Sequence, residues 1–414
     1  MPRLISFAAF SLLMFVGAAQ LQAESGRIYG KLYTVDNDVF EGWIRWDKNE
    51  AYWDDIIDGT IEKDRRETDR KQGKRKYKES KDSYVNVFGL KIGEGNSVFG
   101  FDLSSESQLQ FGHIRTLARD RDDGATLTLK SGEVIVFSSG SDLGPGLREI
   151  LINDAKEGEI YFDWDDIDHI DFMQEPTEPA DGVERLYGRV STRRAGEFTG
   201  WIEWDVDEVF STDDLDGDED GGRTRKIKMG RIAAIERRSS SSASLTLKDG
   251  KELVLRNSND VNSENRGIVV KSAEFGRVKI NWSDFEKAEF LPVPNAELPH
   301  YKDFDGGAQI RGTATTEDGE EFSGHIAWDN DEEYTWEHLN GEYKGVEIVI
   351  PFAIIAQIEK SSQRSASVTL KNGNTYILSG SNDVNEENKG IFVIKEKGST
   401  EQIDWYDFAK LVVK

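Results

Sequence analysis

The chain has 414 residues, of which 37% are hydrophobic and 10% aromatic, with a formal net charge of −26 at pH 7 and no cysteine. This composition can build packed cores, so general disorder is excluded, and two or three domains are expected from the length. Disulfides and thiolate chemistry are excluded as well, and the acidic surface argues against a nucleic-acid partner because phosphate binding needs clustered Lys and Arg.

The first residues have the pattern of a secretory signal peptide. Arg3 precedes an apolar run from Leu4 to Ala19, and the small residue Ala23 stands where a signal peptidase would cleave. A buried N-terminal helix is the alternative. We therefore expect residues 1–23 to be removed and the mature protein to be exported, either periplasmic or extracellular, with no transmembrane segment.

The rest of the chain is predicted to form three tandem units joined by two proline-rich linkers. Proline fixes φ and lacks a backbone donor, so proline-rich segments avoid strands and act as spacers. The predicted boundaries are 24–173 for unit 1, 174–183 for the first linker, 184–291 for unit 2, 292–307 for the second linker and 308–414 for unit 3.

One short stretch occurs in every unit. In unit 1 it runs from Phe40 through Gly42, Ile44 and Trp46 to Asp47. Alternate residues of a strand point to the same face, and the recurring apolar set therefore predicts a core strand with the tryptophan as its anchor. The other two copies are Phe198-Thr-Gly-Trp-Ile-Glu-Trp-Asp205 and Phe322-Ser-Gly-His-Ile-Ala-Trp-Asp329.

The outward positions of this strand are candidate binding residues. They are occupied by Trp43, Trp201 and His325 in the three units. An exposed indole can stack on a sugar ring or anchor a partner protein. The alternative is that a neighbouring part of the chain covers these side chains.

Shorter patterns indicate that each unit is built from β-strands. A hairpin is predicted where alternating residues lead into Asp-Gly or Asn-Gly pairs, as at Asp249-Gly250 and Asn372-Gly373. Apolar residues at offsets 0, 2, 5 and 8 predict strand, single 3₁₀ turn, strand. Because these offsets occur at the end of each half of a unit, we predict an all-β fold of three tandem repeats, each made of two half-units.

This plan resembles SH3-like and Sm-like small β-barrels, and especially PRC-type barrels. The segment from Ile350 to Ile358, which reads IPFAIIAQI, is similar to the one that links the later strands of PRC-type barrels. The resemblance covers most of the mature chain and implies that each half-unit is a small barrel. It implies no function, because this fold carries many.

A basic insertion of about residues 61–100 distinguishes unit 1. From Ile61 to Lys81 there are ten Lys or Arg against five acidic residues. Such an arm could bind anionic lipid, a polyanion or the acidic face of the protein itself. A solvated flexible loop is the alternative, since mixed-charge runs without apolar residues tend to stay disordered.

Acidic and amide-rich loops are the remaining candidates for a site. Asp216, Asp218 and Asp220 resemble the opening of a calcium loop, although Ile227 stands where an EF-hand has its bidentate glutamate. Turn-forming Asp and Asn that bond to their own backbone are the alternative. Two further loops offer candidate binding residues, namely Asp260, Asn262, Asp383 and Asn385.

No catalytic motif was found, so no catalytic residue is predicted and no cofactor other than Ca²⁺ is considered. The preferred hypothesis is an exported, non-catalytic scaffold that binds a protein or a cell-envelope polymer, with valency from its repeats. Two hypotheses stay open beside it: a carbohydrate-binding or Ca²⁺-dependent surface protein, and a hydrolase that uses carboxylates of one unit.

Overall fold

The computed structural model describes residues 26–62, 85–87, 90–92, 104–120, 123–176, 183–294, 298–395 and 399–414. The predicted signal peptide lies outside the described residues, as do most of the basic insertion and parts of both linkers. The described chain is all-β, as predicted, with 32 strands and eight short 3₁₀ helices.

Unit 1 contains the first twelve strands. They are β1 Tyr29–Thr34, β2 Val39–Trp46, β3 Ile56–Glu62, β4 Val85–Val87, β5 Leu90–Ile92, β6 Ser104–Gln110, β7 Ile114–Arg119, β8 Ala125–Leu129, β9 Val134–Phe137, β10 Ile150–Asp154, β11 Gly158–Phe162 and β12 Ile167–Phe172. Its 3₁₀ helices are Phe111–His113, Gly144–Gly146 and Trp164–Asp166.

Unit 2 contains ten strands. They are β13 Tyr187–Thr192, β14 Gly196–Glu203, β15 Asp214–Asp218, β16 Thr224–Lys228, β17 Ile232–Arg237, β18 Ser242–Leu247, β19 Glu252–Arg256, β20 Ile268–Ser272, β21 Gly276–Ile280 and β22 Phe285–Phe290. Its 3₁₀ helices are Met229–Arg231 and Asn259–Val261.

Unit 3 follows a 3₁₀ helix at Tyr301–Asp303 and also contains ten strands. They are β23 Arg311–Thr316, β24 Glu321–Ala327, β25 His338–Tyr343, β26 Val346–Pro351, β27 Ile355–Ser362, β28 Ser365–Leu370, β29 Thr375–Ser379, β30 Ile391–Ile394, β31 Thr400–Ile403 and β32 Phe408–Val413. Its 3₁₀ helices are Phe352–Ile354 and Asn382–Val384.

The predicted pattern of strand, 3₁₀ turn and strand is confirmed in the first half of every unit and in the second half of unit 1, whereas a simple turn joins the strands in the second halves of units 2 and 3. Helix Phe111–His113 joins β6 to β7, Met229–Arg231 joins β16 to β17, and Phe352–Ile354 joins β26 to β27. The apolar residues at the predicted offsets are buried, because each turn rotates the chain so that both strands face the same core. In unit 3 these residues are Ile350, Phe352, Ile355 and Ile358.

Eight of the twelve strands of unit 1 form one antiparallel sheet in the order β11-β10-β2-β1-β12-β7-β8-β9, while β3 pairs with β6 and β4 with β5 in two separate two-stranded sheets. Corresponding strands pair in the same way in unit 2, from β21 through β14, β13 and β22 to β19. In unit 3 the same pairings run from β31 through β24, β23 and β32 to β29. The division of the chain into three domains itself stays a prediction.

The two halves of a unit share one sheet. In unit 1, β12 from the second half lies between β1 and β7 from the first half, and β10 pairs with β2. The half-units are therefore interleaved, and no closed barrel occurs in the described part of the chain. Small barrels were expected because the sequence pattern gives the order of the strands along the chain. It does not indicate that strands of one half pair with strands of the other half.

The units also contact one another. Strand β21 of unit 2 pairs with β26 of unit 3, and one hydrophobic core spans both units. Tyr334 and Trp336 of unit 3 are buried in the core of unit 1. Units 1 and 2 meet in a small apolar cluster around Tyr52 and Phe210.

Candidate functional site

The three recurring tryptophans have the core role that was predicted for them. Trp46, Trp204 and Trp328 are fully buried. Each indole N–H donates at 2.9 Å to a backbone carbonyl, that of Asp142, Asp260 or Asp383 respectively. The bond satisfies a polar group that would otherwise be buried without a partner.

The aspartate that follows each tryptophan fixes a distant loop. Asp205 is fully buried with a φ of +55°, and its carboxylate accepts the backbone N–H of Arg266 at 2.5 Å. The Arg266 guanidinium and the Asn259 amide also donate to this carboxylate. Asp47 and Asp329 make equivalent bonds in the other units, to Arg148 and Lys389.

The Asp and Asn residues predicted to bind a ligand are engaged inside their own units. The carboxylate of Asp260 accepts the backbone N–H of Asp216, and the carboxylate of Asp383 accepts that of Asn340, both at 2.6 Å. The side-chain oxygens of two amides bond to the backbone two residues on, as turn-forming residues do. These amides are Asn262 and Asn385, each with a bond of 2.7 Å.

Trp43 and Trp201 point outward from their strands, and an arginine of the same unit lies over each ring. Both side chains are half-buried. The guanidinium of Arg27 lies 5.5 Å from the Trp43 ring and 5.0 Å from the Phe210 ring of unit 2. The guanidinium of Arg185 lies 5.2 Å from Trp201 and 4.2 Å from the Tyr52 ring of unit 1.

His325 lies on β24, opposite Arg311 of β23, and is half-buried. Trp43 and Trp201 are thus partly covered by arginines, and their role as binding residues stays a prediction.

The predicted calcium ligands face different partners. Asp216 pairs with Lys226 at 3.4 Å, Asp218 accepts a hydrogen bond from Thr224 at 2.7 Å, and Asp220 pairs with Arg256 at 2.7 Å. In the described part of the chain, no group of three or more acidic or histidine side chains is arranged to hold a metal ion. The structure therefore gives no support to a Ca²⁺ site at these residues.

A buried ionic cluster that the sequence analysis missed joins units 1 and 2. The carboxylate of Asp55 lies 3.0 Å from the Arg185 guanidinium and 2.8 Å from the ammonium of Lys271. Lys271 also pairs with Glu203, and all four side chains are buried. Burial acts to raise the pKa of Asp55, but the two cations outweigh it and the pKa is lowered.

Glutamates recur four residues after the three tryptophans, and the sequence shows this spacing without indicating that the side chains are buried. Glu50, Glu208 and Glu332 are buried, and one oxygen of each carboxyl group has no hydrogen-bond partner among the described residues. Burial, followed by repulsion from Asp260, raises the pKa of Glu208 to about 10. The pKa values of Glu50 and Glu332 are raised well above normal for the same kinds of reason. A carboxyl group with the pKa of Glu208 is protonated at neutral pH.

A small cavity lies beside Glu332, between units 1 and 3. It has about 10 Å³ of space for the centre of a water molecule, which is enough for one water. Burial lowers the pKa of His338, one of its lining residues, to about 4, so the imidazole is neutral. The cavity is too small for an organic ligand. Its other lining residues are Ser107, Gln108, Asp331, Glu337 and Asn340.

Comparisons with known proteins do not assign the chain to a family. No family model matches it, and neither the curated proteins nor the solved structures include a significant match. Among the described residues, no helix is long and apolar enough to cross a membrane.

Proposed function

We propose that the protein is an exported, non-catalytic scaffold that binds another protein at the open edges of its sheets. The observation that carries the proposal is the pairing of β21 with β26, in which a strand edge of unit 2 takes up a strand of unit 3. Strand addition of this kind is a common way to bind proteins, because main-chain hydrogen bonds supply the affinity.

Strand β11 of unit 1 corresponds to β21 but has an open edge. It pairs with β10 from Ile150↔Phe162 to Asp154↔Gly158, and β21 pairs with β20 in the same register. In the described part of the chain β10 is the only strand that pairs with β11. An open edge is a template for an incoming strand, and Tyr161 stands on it with 57% of its surface exposed.

The recurring polar residues support this proposal by their internal roles. Asp205, Asp260 and Asp383 are buried and hold loops and strands together inside their own units. The loops that contain them are therefore part of the framework. Binding is then expected at surfaces where the units differ, such as the edge of β11.

A photo-crosslinking amino acid at Tyr161 tests the proposal. In the exported fraction of the source cell we expect this site to form adducts with a distinct protein, identified by mass spectrometry. Tyr406 serves as the matched control site, because it is 72% exposed and lies outside the strands. Equal adduct formation at both sites, or none at Tyr161, would refute the proposal.

A further inference from the structure

We propose that the partner of strand β11 is strand β16 of a second copy of the chain, so that copies assemble head to tail. This inference rests on the proposed function, since it names the partner of the same edge. Among the described strands, β21 and β26 are the pair that joins two units. The counterparts of β21 are β11 and β31, and those of β26 are β6 and β16; each of these pairs with a single described strand. Of them, β11 and β16 place a carboxylate, Glu159, and an ammonium, Lys226, on their exposed faces.

Strand β16 is the counterpart of β26. It pairs with β15 from Asp214↔Lys228 to Asp218↔Thr224, as β26 pairs with β25 through Leu339↔Ile350 and Gly341↔Ile348. Among the described strands only β15 pairs with β16. One chain therefore presents both halves of the β21–β26 interface in unpaired form, one on β11 and the other on β16.

Units 1 and 2 do not join these two halves to each other. At the centre of their contact the Tyr52 and Phe210 rings lie 5.9 Å apart, with Arg27 and Arg185 placed in similar ways on the two sides. This contact uses the same surface of both units, whereas the β21–β26 contact joins two different surfaces. A contact between different surfaces on two copies generates rings or open filaments.

The register of the observed pairing can be transferred to the proposed one. Arg277 lies opposite Val349, Val278 opposite Ile348, and Lys279 opposite Glu347. The β10–β11 hairpin has the register of β20–β21, and the β15–β16 hairpin has that of β25–β26, so each position has a counterpart. In the proposed pairing these counterparts are Glu159 opposite Lys226, Ile160 opposite Arg225, and Tyr161 opposite Thr224.

The chemistry of the two strands fits this register. Glu159 and Tyr161 are exposed on one face of β11, and Thr224 and Lys226 are exposed on one face of β16. Opposite charges therefore meet on the solvent face, and such cross-strand pairs stabilise a sheet. Ile160, which is half-buried, would meet the half-buried Arg225 on the inner face, where the Arg stem can cover apolar surface.

The charge of β16 also suits an acidic partner strand. Arg225, Lys226 and Lys228 make it basic in a chain whose net charge is −26. The side chain of Lys226 is 67% exposed and only loosely paired with Asp216, so it is available to a second carboxylate. Charges on an edge strand also discourage non-specific pairing, and they then favour one complementary partner over others.

The test is sedimentation velocity of the mature chain over a range of protein and salt concentrations. We expect reversible self-association that weakens with salt. Glu159→Lys and Lys226→Glu should each raise the dissociation constant about tenfold or more, and the double charge swap should restore it. Glu320→Lys is the control for the change of charge, because Glu320 is exposed and lies in the turn between β23 and β24, outside both proposed edges, and it should leave association unchanged.

The outcomes separate the two proposals. A chain that stays monomeric throughout overturns the self-association, as does a double swap without rescue or a control that disrupts as strongly as Glu159→Lys. If the chain is monomeric while Tyr161 crosslinks to another protein, the inference falls and the proposed function stands. Far-ultraviolet circular dichroism of each variant confirms that it is folded.

Discussion

At the scale of single residues, the aspartate after each recurring tryptophan joins two segments that are far apart in sequence. Asp205 holds the loop at Arg266 through one backbone and several side-chain hydrogen bonds, and no part of Asp205 is exposed. Removing the carboxylate would take the acceptor away from the part-buried backbone N–H of Arg266 and from two side chains, and it would leave alanine at a φ of +55°.

We therefore expect Asp205→Ala to lower the free energy of unfolding by about 1 to 3 kcal/mol. The matched control is Asp207→Ala, because Asp207 also pairs with Arg266 but its side chain is 29% exposed. Water screens that pair, and its loss should cost about 1 kcal/mol or less. Urea unfolding of both variants measures the difference, and equal effects would contradict the role of the buried carboxylate.

The buried glutamates give a prediction about pH. The pKa of Glu208 is raised from 4.5 to about 10, so the folded state keeps this proton while the unfolded state loses it. Its contribution to stability is complete below about pH 4.5 and declines as the pH rises toward 10. Glu208→Gln removes the titration, so this variant should be more stable than the wild type at pH 8 and similar to it at pH 4.

Urea unfolding midpoints measured between pH 4 and pH 9 check this expectation. The stability of the wild type should fall by up to about 1.4 kcal/mol more per pH unit than that of Glu208→Gln. Glu197→Gln is the control, because the Glu197 side chain is 59% exposed and the substitution should not change the slope. The same slope in the wild type and in Glu208→Gln would show that Glu208 is ionised in the folded protein.

At the scale of elements, the glycine of the recurring strand is explained by a close approach of two backbones. A Cβ atom at Gly200 would lie 2.1 Å from the carbonyl oxygen of Lys271 on β20. At Gly42 and Gly324 it would lie 2.0 Å and 2.3 Å from the carbonyls of Asn153 and Ile394. The pairs β2–β10, β14–β20 and β24–β30 thus exclude any side chain at this position.

Gly200→Ala should destabilise the protein by about 1 to 3 kcal/mol, because a backbone oxygen cannot move away as a side chain could. Gly146→Ala is a matched control, since a Cβ there would meet no atom within 4 Å and its φ is not positive. That variant should be neutral or slightly stabilising. A thermal shift of the same size in both variants would contradict the close-approach argument.

Local patterns in the sequence predicted the strands and turns well, but they did not predict which distant segments these strands contact. The segment from Ile350 to Ile358 forms strand, 3₁₀ turn and strand because those offsets depend only on neighbouring residues. The alternation of apolar and polar residues also placed Trp43 and Trp201 on the outward face of their strands. This pattern does not indicate whether water or another part of the protein covers that face. Asp55 and Lys271 are 216 residues apart, and no local pattern indicates that they meet.

At the scale of the whole molecule, the three contacts between units differ in kind. Units 2 and 3 share a sheet through β21 and β26, and unit 3 inserts Tyr334 and Trp336 into the core of unit 1. Units 1 and 2 are joined by a small apolar cluster and by a buried set of charges. Because each contact buries side chains, we expect the three units to unfold as one cooperative body.

Substitutions in the ionic cluster between units 1 and 2 test that cooperativity. Asp55 accepts hydrogen bonds from Arg185 at 3.0 Å and Lys271 at 2.8 Å, and from the backbone N–H of Ala51 and Tyr52. Asp55→Ala leaves two cations buried without their shared anion, which should cost about 3 to 5 kcal/mol. The loss falls on the contact between the units, so the single heat-absorption peak of the wild type should split into two in differential scanning calorimetry.

Asp54→Ala is the control for this experiment. Asp54 also pairs with Arg185, but its side chain is 19% exposed and Asp55 would still neutralise the cation. We expect this variant to keep one peak with a small downward shift. If Asp55→Ala also unfolds in one transition at the wild-type temperature, the ionic cluster does not couple the units. The cooperativity would then come from the shared sheet of units 2 and 3 and from Tyr334 and Trp336 of unit 3.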